Sequence, residues 1–320
     1  MTQQILERHQ VFFYLGAVMA GIIAGSAAPS ITDSLDQLLW PALGCLLYVT
    51  FTQVPLGNLR HALTDTRIMG AALLGNFVLI PLLVWALLNL LPNEPVLHLG
   101  VLLVLLVPCT DWFITFTHLA GGETGRAIAF SPLSLLLQIL LLPLYLWLFL
   151  GSELVVSLAH GDMLAAFTGL ILAPLTLAWL TERWVARRPA QRQPRVQTLG
   201  WLPVPLLSVV IFLIAASQVA LITGSLALFA PLTLVFGLYL LAAALLARGL
   251  AGPLGLPPAQ GRVLAFSFGT RNSFVVLPIA LALPESFELV AVVVVFQSLV
   301  ELFGMLVYLW LVPRWLFPAR

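Results

Sequence analysis

The sequence divides into ten windows of mostly apolar residues, each close to the roughly 20 that an α-helix needs to cross the hydrocarbon core of a bilayer. They are 11–27, 35–56, 68–91, 97–118, 124–150, 163–182, 200–222, 226–247, 261–283 and 287–312. With 61% hydrophobic residues, 8% charged residues and a mean hydropathy of +1.06, no part of the chain has the composition of a soluble domain. The expected fold is an all-α membrane protein of ten transmembrane helices.

The charges support this division. All fourteen basic side chains are arginines, and thirteen of them, from Arg8 to Arg320, fall on one side of a ten-span layout. The other side holds Asp33, Asp36, Glu94, Glu153, Asp162, Glu285 and Glu288 and no arginine. The positive-inside rule then places both termini in the cytoplasm and the chain in the inner membrane. No small-residue cleavage site follows the first span, which is expected to be retained. Cys45 and Cys109 both lie inside spans, where an extracellular disulfide framework has no place.

Residues 183–199, rich in arginine and carrying Pro189 and Pro194, read as a cytoplasmic linker midway along the chain. Before it, 1–182 hold the first five spans and the sixth; after it, 200–320 hold spans seven to ten. Two halves of five spans must enter the membrane with opposite orientation, which gives two inverted repeats. Span four should then correspond to span nine. Both are interrupted, at "PCTD" (108–111) and at "FGTRNS" (268–273), and the two broken helices are expected to cross near the midplane. Spans five and ten also correspond in kind. Ser131, Ser134 and Gln138 share one helical face, and Gln297 and Glu301 share another beside Ser298.

Three charges remain in the hydrocarbon zone: Asp111, Arg271 and Glu301. Each costs about 2.5–3.5 kcal/mol at a helix centre unless it gains a partner or a wet cavity. Asp111 and Arg271 are expected close together at the crossing, either as part of a solute site or as a permanent structural ion pair. Glu301, with Gln297, Ser298, Ser131, Ser134 and Gln138, supplies candidate oxygens for a coupling ion, Na⁺ or H⁺; the plainer alternative is helix-to-helix hydrogen bonding. Cys109 is either a soft ligand for a thiophilic solute or a small packing residue. Asn76 and Gln53 are interior polar groups suited to binding or packing. His98 and His118 lack partners at ligand spacing, so no metal site is expected.

Four stretches carry a family resemblance: "TQVPLGNLR" (52–60), "NFVLIPLL" (76–83), "PCT" (108–110) and "TRNSF" (270–274). Together they resemble the bile acid:sodium symporter and arsenical-resistance permease superfamily, and more closely its arsenite permease branch. The resemblance implies a core of spans three to five and eight to ten, a panel of spans one, two, six and seven, and solute bound where spans four and nine cross. It also implies a functional role for Cys109. Asp111 stands where that motif has a small apolar residue, and Ser273 and Val275 stand where it has asparagine and glutamate.

The expected function is secondary active transport, most simply an arsenite-permease-like efflux driven by an ion gradient. Its solute site would comprise Cys109, Thr110, Asp111, Arg271, Asn272, Ser273 and Asn76. The alternative is a sodium-coupled organic-anion symporter in which Arg271 holds the anionic group. An intramembrane enzyme, with Cys109 and His118 or Asp111 and Glu301 as reacting pairs, is a remote third reading. No nucleotide or other cofactor is expected beyond the coupling ion. The partners are a small inorganic or organic solute and the bilayer, with no nucleic acid; the sequence does not set the oligomeric state.

Overall fold

The computed structural model describes residues 9–28, 32–54, 65–110, 112–150, 167–224 and 226–318. Asp111, expected at the centre of the site, lies outside them. Among the described residues the chain is helical, without strands, and two extended main-chain stretches form an isolated antiparallel bridge.

In chain order the helices are α1 (Gln10–Ala27), α2 (Thr32–Thr52), α3 (Thr66–Leu88) and α4 (Pro95–Leu105). Next come α5 (Trp112–Leu119), α6 (Thr124–Leu150), α7 (Ala173–Ala186) and α8 (Pro189–Gln197). The last six are α9 (Pro203–Ser217), α10 (Val219–Gly224), α11 (Leu226–Ala251), α12 (Pro258–Gly269), α13 (Ser273–Leu281) and α14 (Leu289–Leu311). Five helical stretches are long and apolar enough to cross a membrane: Thr66–Leu88, Thr124–Leu150, Pro189–Ser217, Leu226–Ala251 and Glu285–Leu316. Shorter apolar helices cover Phe12–Ala27, Gln37–Thr52 and Pro95–Leu105. Large apolar side chains such as Trp85, Leu140, Leu148, Leu241 and Val307 remain exposed along these helices, a surface suited to lipid.

The stretch read as a linker is largely helical. Ala173–Ala186 continues into it and Pro189–Gln197 fills most of the remainder. Pro189 is tolerated because it stands in the first turn, where a missing N–H costs no intrahelical bond.

Packing sorts the helices into two groups. In one, α9 lies against α1 and α2, and α2 lies against α7. The α1–α9 contact is backbone against backbone. A Cβ at Gly21 would stand 2.5 Å from the Phe212 carbonyl oxygen, and one at Gly25 2.1 Å from that of Ala216. The Gly-x-x-x-Gly spacing thus removes side-chain bulk from one helix face, as helices need in lipid, where close packing replaces hydrophobic drive. In the other group α4 packs on α14, α11 on α12, α13 on α14, and α5 on both α6 and α12.

At one end this second group is tied by polar contacts. Arg262 of α12 donates to the Phe317, Ala120 and Gly121 carbonyl oxygens, so it joins the chain ends after α5 and α14. Arg126 pairs with Asp65 and Glu123, each at 3.0 Å, and Gln260 donates to Glu123. Helix ends leave carbonyl oxygens without intrahelical donors, and cationic side chains satisfy them here.

Candidate functional site

Helix α4 stops at Leu105 because Pro108 has no N–H to continue it and biases the preceding residue toward extended backbone. Helix α12 stops at Gly269, and Thr270 is extended (φ −102°, ψ 140°). The two interruptions meet. Pro108 and Arg271 form the antiparallel bridge, Cys109 N–H donates to the Thr270 carbonyl at 3.2 Å, and Asn272 N–H donates to the Val107 carbonyl at 2.8 Å. Non-helical backbone inside an apolar bundle is costly unless protein satisfies it. Here each break satisfies the other.

Side chains reinforce the crossing. Asn272 caps α13 by accepting from Val275 N–H at 3.3 Å, while its amide donates to Thr110 Oγ1. The Thr110 carbonyl accepts from Ser131 Oγ of α6. Thus α6 holds one break and α13 starts from the other.

Arg271, 2% exposed, points its guanidinium at oxygens. Nη2 lies 3.0 Å from Asn76 Oδ1, 2.9 Å from the Ser267 carbonyl and 2.8 Å from the Phe268 carbonyl; Nη1 lies 3.3 Å from the Leu105 carbonyl. Three of these four are carbonyls at or near the C-terminal ends of α4 and α12, where the helix dipole favours a cation. Asn76 is oriented by donating to the Ala72 carbonyl and to Ser267 Oγ. Beneath the guanidinium lies the Tyr239 ring, 5.6 Å away, whose hydroxyl donates to the Phe268 carbonyl.

Asn76 reaches this point from a π-helical turn, Gly75–Leu79, in the middle of α3. Pro81 offers no N–H to the Phe77 carbonyl, and the Tyr145 hydroxyl of α6 donates to it instead at 2.6 Å. Gly75 is required by proximity, since a Cβ there would sit 1.9 Å from the Phe268 ring.

Glu301 of α14 is 1% exposed, and its Oε2 accepts from the Arg271 main-chain N–H at 2.9 Å and from Gln297 Nε2 at 2.8 Å. Gln297 in turn accepts from Ser273 Oγ at 3.2 Å. Asn76, Arg271, Glu301, Gln297 and Ser273 therefore form one connected network. Cys109, Thr110, Asn272 and Ser131 belong to the adjoining crossing. Ser298 bonds back to the Val294 carbonyl within its own helix. Ser134 and Gln138 are buried on the Ser131 face, and their polar atoms have no hydrogen-bond partner among the described residues. Gln53 stands apart, near the end of α2.

Sequence reasoning missed Ser267, Tyr239 and Tyr145. A signal existed for the tyrosines, since a hydroxyl in mid-span must find an acceptor. Tyr239, Tyr145 and Tyr308 each donate to a main-chain carbonyl near a helix interruption or contact.

Comparison with curated proteins finds none that matches the chain. The model of the Sodium Bile acid symporter family, however, matches residues 40–225, more than half of the sequence and including the first break. Together with its apolar, lipid-suited helices, this match shows that the chain is an integral membrane protein belonging to the sodium bile acid symporter family.

Proposed function

We propose that the chain is a secondary active transporter of the inner membrane, with ten spans in two inverted repeats and both termini cytoplasmic. Solute binds where Pro108–Thr110 meets Gly269–Ser273. The group containing α3–α6 and α11–α14 is the core, and the group of α1, α2, α7 and α9 is the panel; access alternates as one moves against the other. What carries this reading is the crossing itself: two interrupted helices joined main chain to main chain among buried polar side chains from α3, α6 and α14. Broken helices at mid-bundle suit transporter binding sites, whereas a purely structural protein gains nothing from them.

For the solute, the first reading is an arsenite-permease-like efflux in which Cys109, buried in the first break, supplies a thiolate to a thiophilic metalloid. The second is a sodium-coupled organic-anion symporter, favoured by the family match. Coupling runs through Glu301 and Gln297, or through the Ser131 face, where Ser134 and Gln138 have polar atoms without a hydrogen-bond partner among the described residues and offer oxygens to an ion.

A thermal-stability screen of the purified chain tests both. Arsenite, antimonite, Na⁺ and a panel of organic anions are compared, because a ligand that binds the folded form raises its melting temperature. Stabilisation by arsenite or antimonite, lost in Cys109→Ala, supports the first reading. Stabilisation only by an organic anion, and only with Na⁺ present, supports the second. No response to any of them, with no transport in proteoliposomes, rejects the proposal.

A further inference from the structure

We propose that Arg271 is a tethered cation seated in an oxygen cage of the kind that holds a hard metal ion, so that the crossing of this chain does not take up sodium at that point. The geometry around Nη2 carries the argument. This nitrogen has two hydrogens, yet three oxygens, Asn76 Oδ1 and the Ser267 and Phe268 carbonyls, lie within 3.0 Å of it. The Leu105 carbonyl adds a fourth oxygen beside Nη1. Meanwhile Nε–H has no acceptor among the described residues. A guanidinium placed to satisfy each N–H would distribute its acceptors evenly around the fork. This one crowds three of them around a single nitrogen and leaves another N–H without an acceptor among the described residues, which is how oxygens gather about a charge.

The donor set supports the same conclusion. Main-chain carbonyls and an asparagine oxygen are neutral hard ligands, typical of cation sites, and the ends of α4 and α12 direct their negative dipole ends at one point. Asn76 cannot turn its amide nitrogen inward, because that nitrogen already donates to the Ala72 carbonyl and Ser267 Oγ. Tyr239 fixes the Phe268 carbonyl and presents its ring face to the same charge. The guanidinium thus places a positive charge among these oxygens at the crossing. For coupling, this means that an ion carried by the protein must use other oxygens, such as those of Glu301 or of the Ser131 face. That consequence rests on the transporter reading; the cage does not.

The test uses the purified full-length chain in detergent, melted in sodium chloride or in choline chloride at equal ionic strength, with guanidinium chloride at low millimolar concentration as a second probe. Arg271→Ala is expected to acquire a saturable rise of a few degrees in melting temperature with sodium, beyond any seen for the wild type, and a similar rise with guanidinium. Asn76→Leu in that background is expected to abolish both. If Arg271→Ala survives purification only when sodium or guanidinium is present, and not in choline, the proposal is likewise supported. An Ala variant indifferent to both cations, or one that neither rescues, overturns it. So does a sodium-specific stabilisation of the wild type that Asn76→Leu alone removes. These outcomes are independent of solute binding: a chain that fails the solute screen and passes here keeps the cage and loses the transport reading, and the converse also holds.

Discussion

For Glu301 the structural part can be separated from the coupling role proposed for it. Its Oε2 accepts from a main-chain N–H and from a side-chain amide, so Glu301→Ala strands two buried donors. We expect that variant to lose about 1–3 kcal/mol of stability. Glu301→Gln keeps an oxygen in place and removes only the charge, and its melting temperature should stay near that of the wild type. Its ion-driven solute accumulation in proteoliposomes should vanish; undiminished accumulation would reduce Glu301 to a hydrogen-bonding post. Cys109 is tested more selectively. Cys109→Ser nearly preserves volume and should weaken arsenite or antimonite binding at least tenfold, read by titration, while leaving the melting temperature of the ligand-free chain within a few degrees. Most of these residues were legible in the sequence for one reason: a polar side chain in hydrocarbon must be paid for, so each stands out as a candidate. Tyr239 and Ser267 were not singled out, because an amphipathic ring and a small hydroxyl are tolerated inside bundles without a special role.

The π turn of α3 shows where pattern reading stops. That span was visible from its apolar length, but an extra residue in one turn leaves hydropathy unchanged while rotating everything that follows it. Pro81 was the only local hint, and its effect is clear only once Tyr145 is seen donating to the Phe77 carbonyl. The turn brings Asn76 to Arg271 and sets Gly75 against the Phe268 ring. Gly75→Ala therefore sets a methyl group against the Phe268 ring of α12, and we expect it to cost about 1–3 kcal/mol, as overpacking does. Tyr145→Phe, which leaves the ring and removes one donor, should cost about 1 kcal/mol. Melting both variants checks the order. If Tyr145→Phe proves the more damaging, the carbonyl rather than the contact governs the turn. In the arginine-rich stretch read as a linker, charge and proline carried no sign of α8, because proline in a first turn is compatible with a helix.

The positions of the two breaks were readable because polar residues interrupt apolar runs, but the grouping of helices was not. Lipid-facing and helix-facing surfaces are equally apolar, so hydropathy cannot tell which helix touches which. The Gly21–Gly25 face against Ala216, which joins α1 to α9, becomes meaningful only beside its partner. The two groups meet where α2 approaches α13 and where α1 approaches α14. Trp40 of α2 and Gln218 beyond α9 line one side of a cavity there of about 180 Å³, and Leu281, Leu283 and Glu285 line the other. If access alternates by movement of one group against the other, contacts across this cavity must change in every cycle and contacts within each group must not. A cleavable bis-maleimide joining cysteines at Trp40 and Leu281, in a Cys45→Ala background with Cys109 shielded by burial, should then arrest transport, and cleavage of the linker should restore it. The same reagent joining cysteines at Ala27 and Ser217, at the facing ends of α1 and α9, should leave transport intact. Transport that persists with the first link in place would mean that the two groups do not move as bodies, and solute would have to reach the crossing by local opening of a break instead.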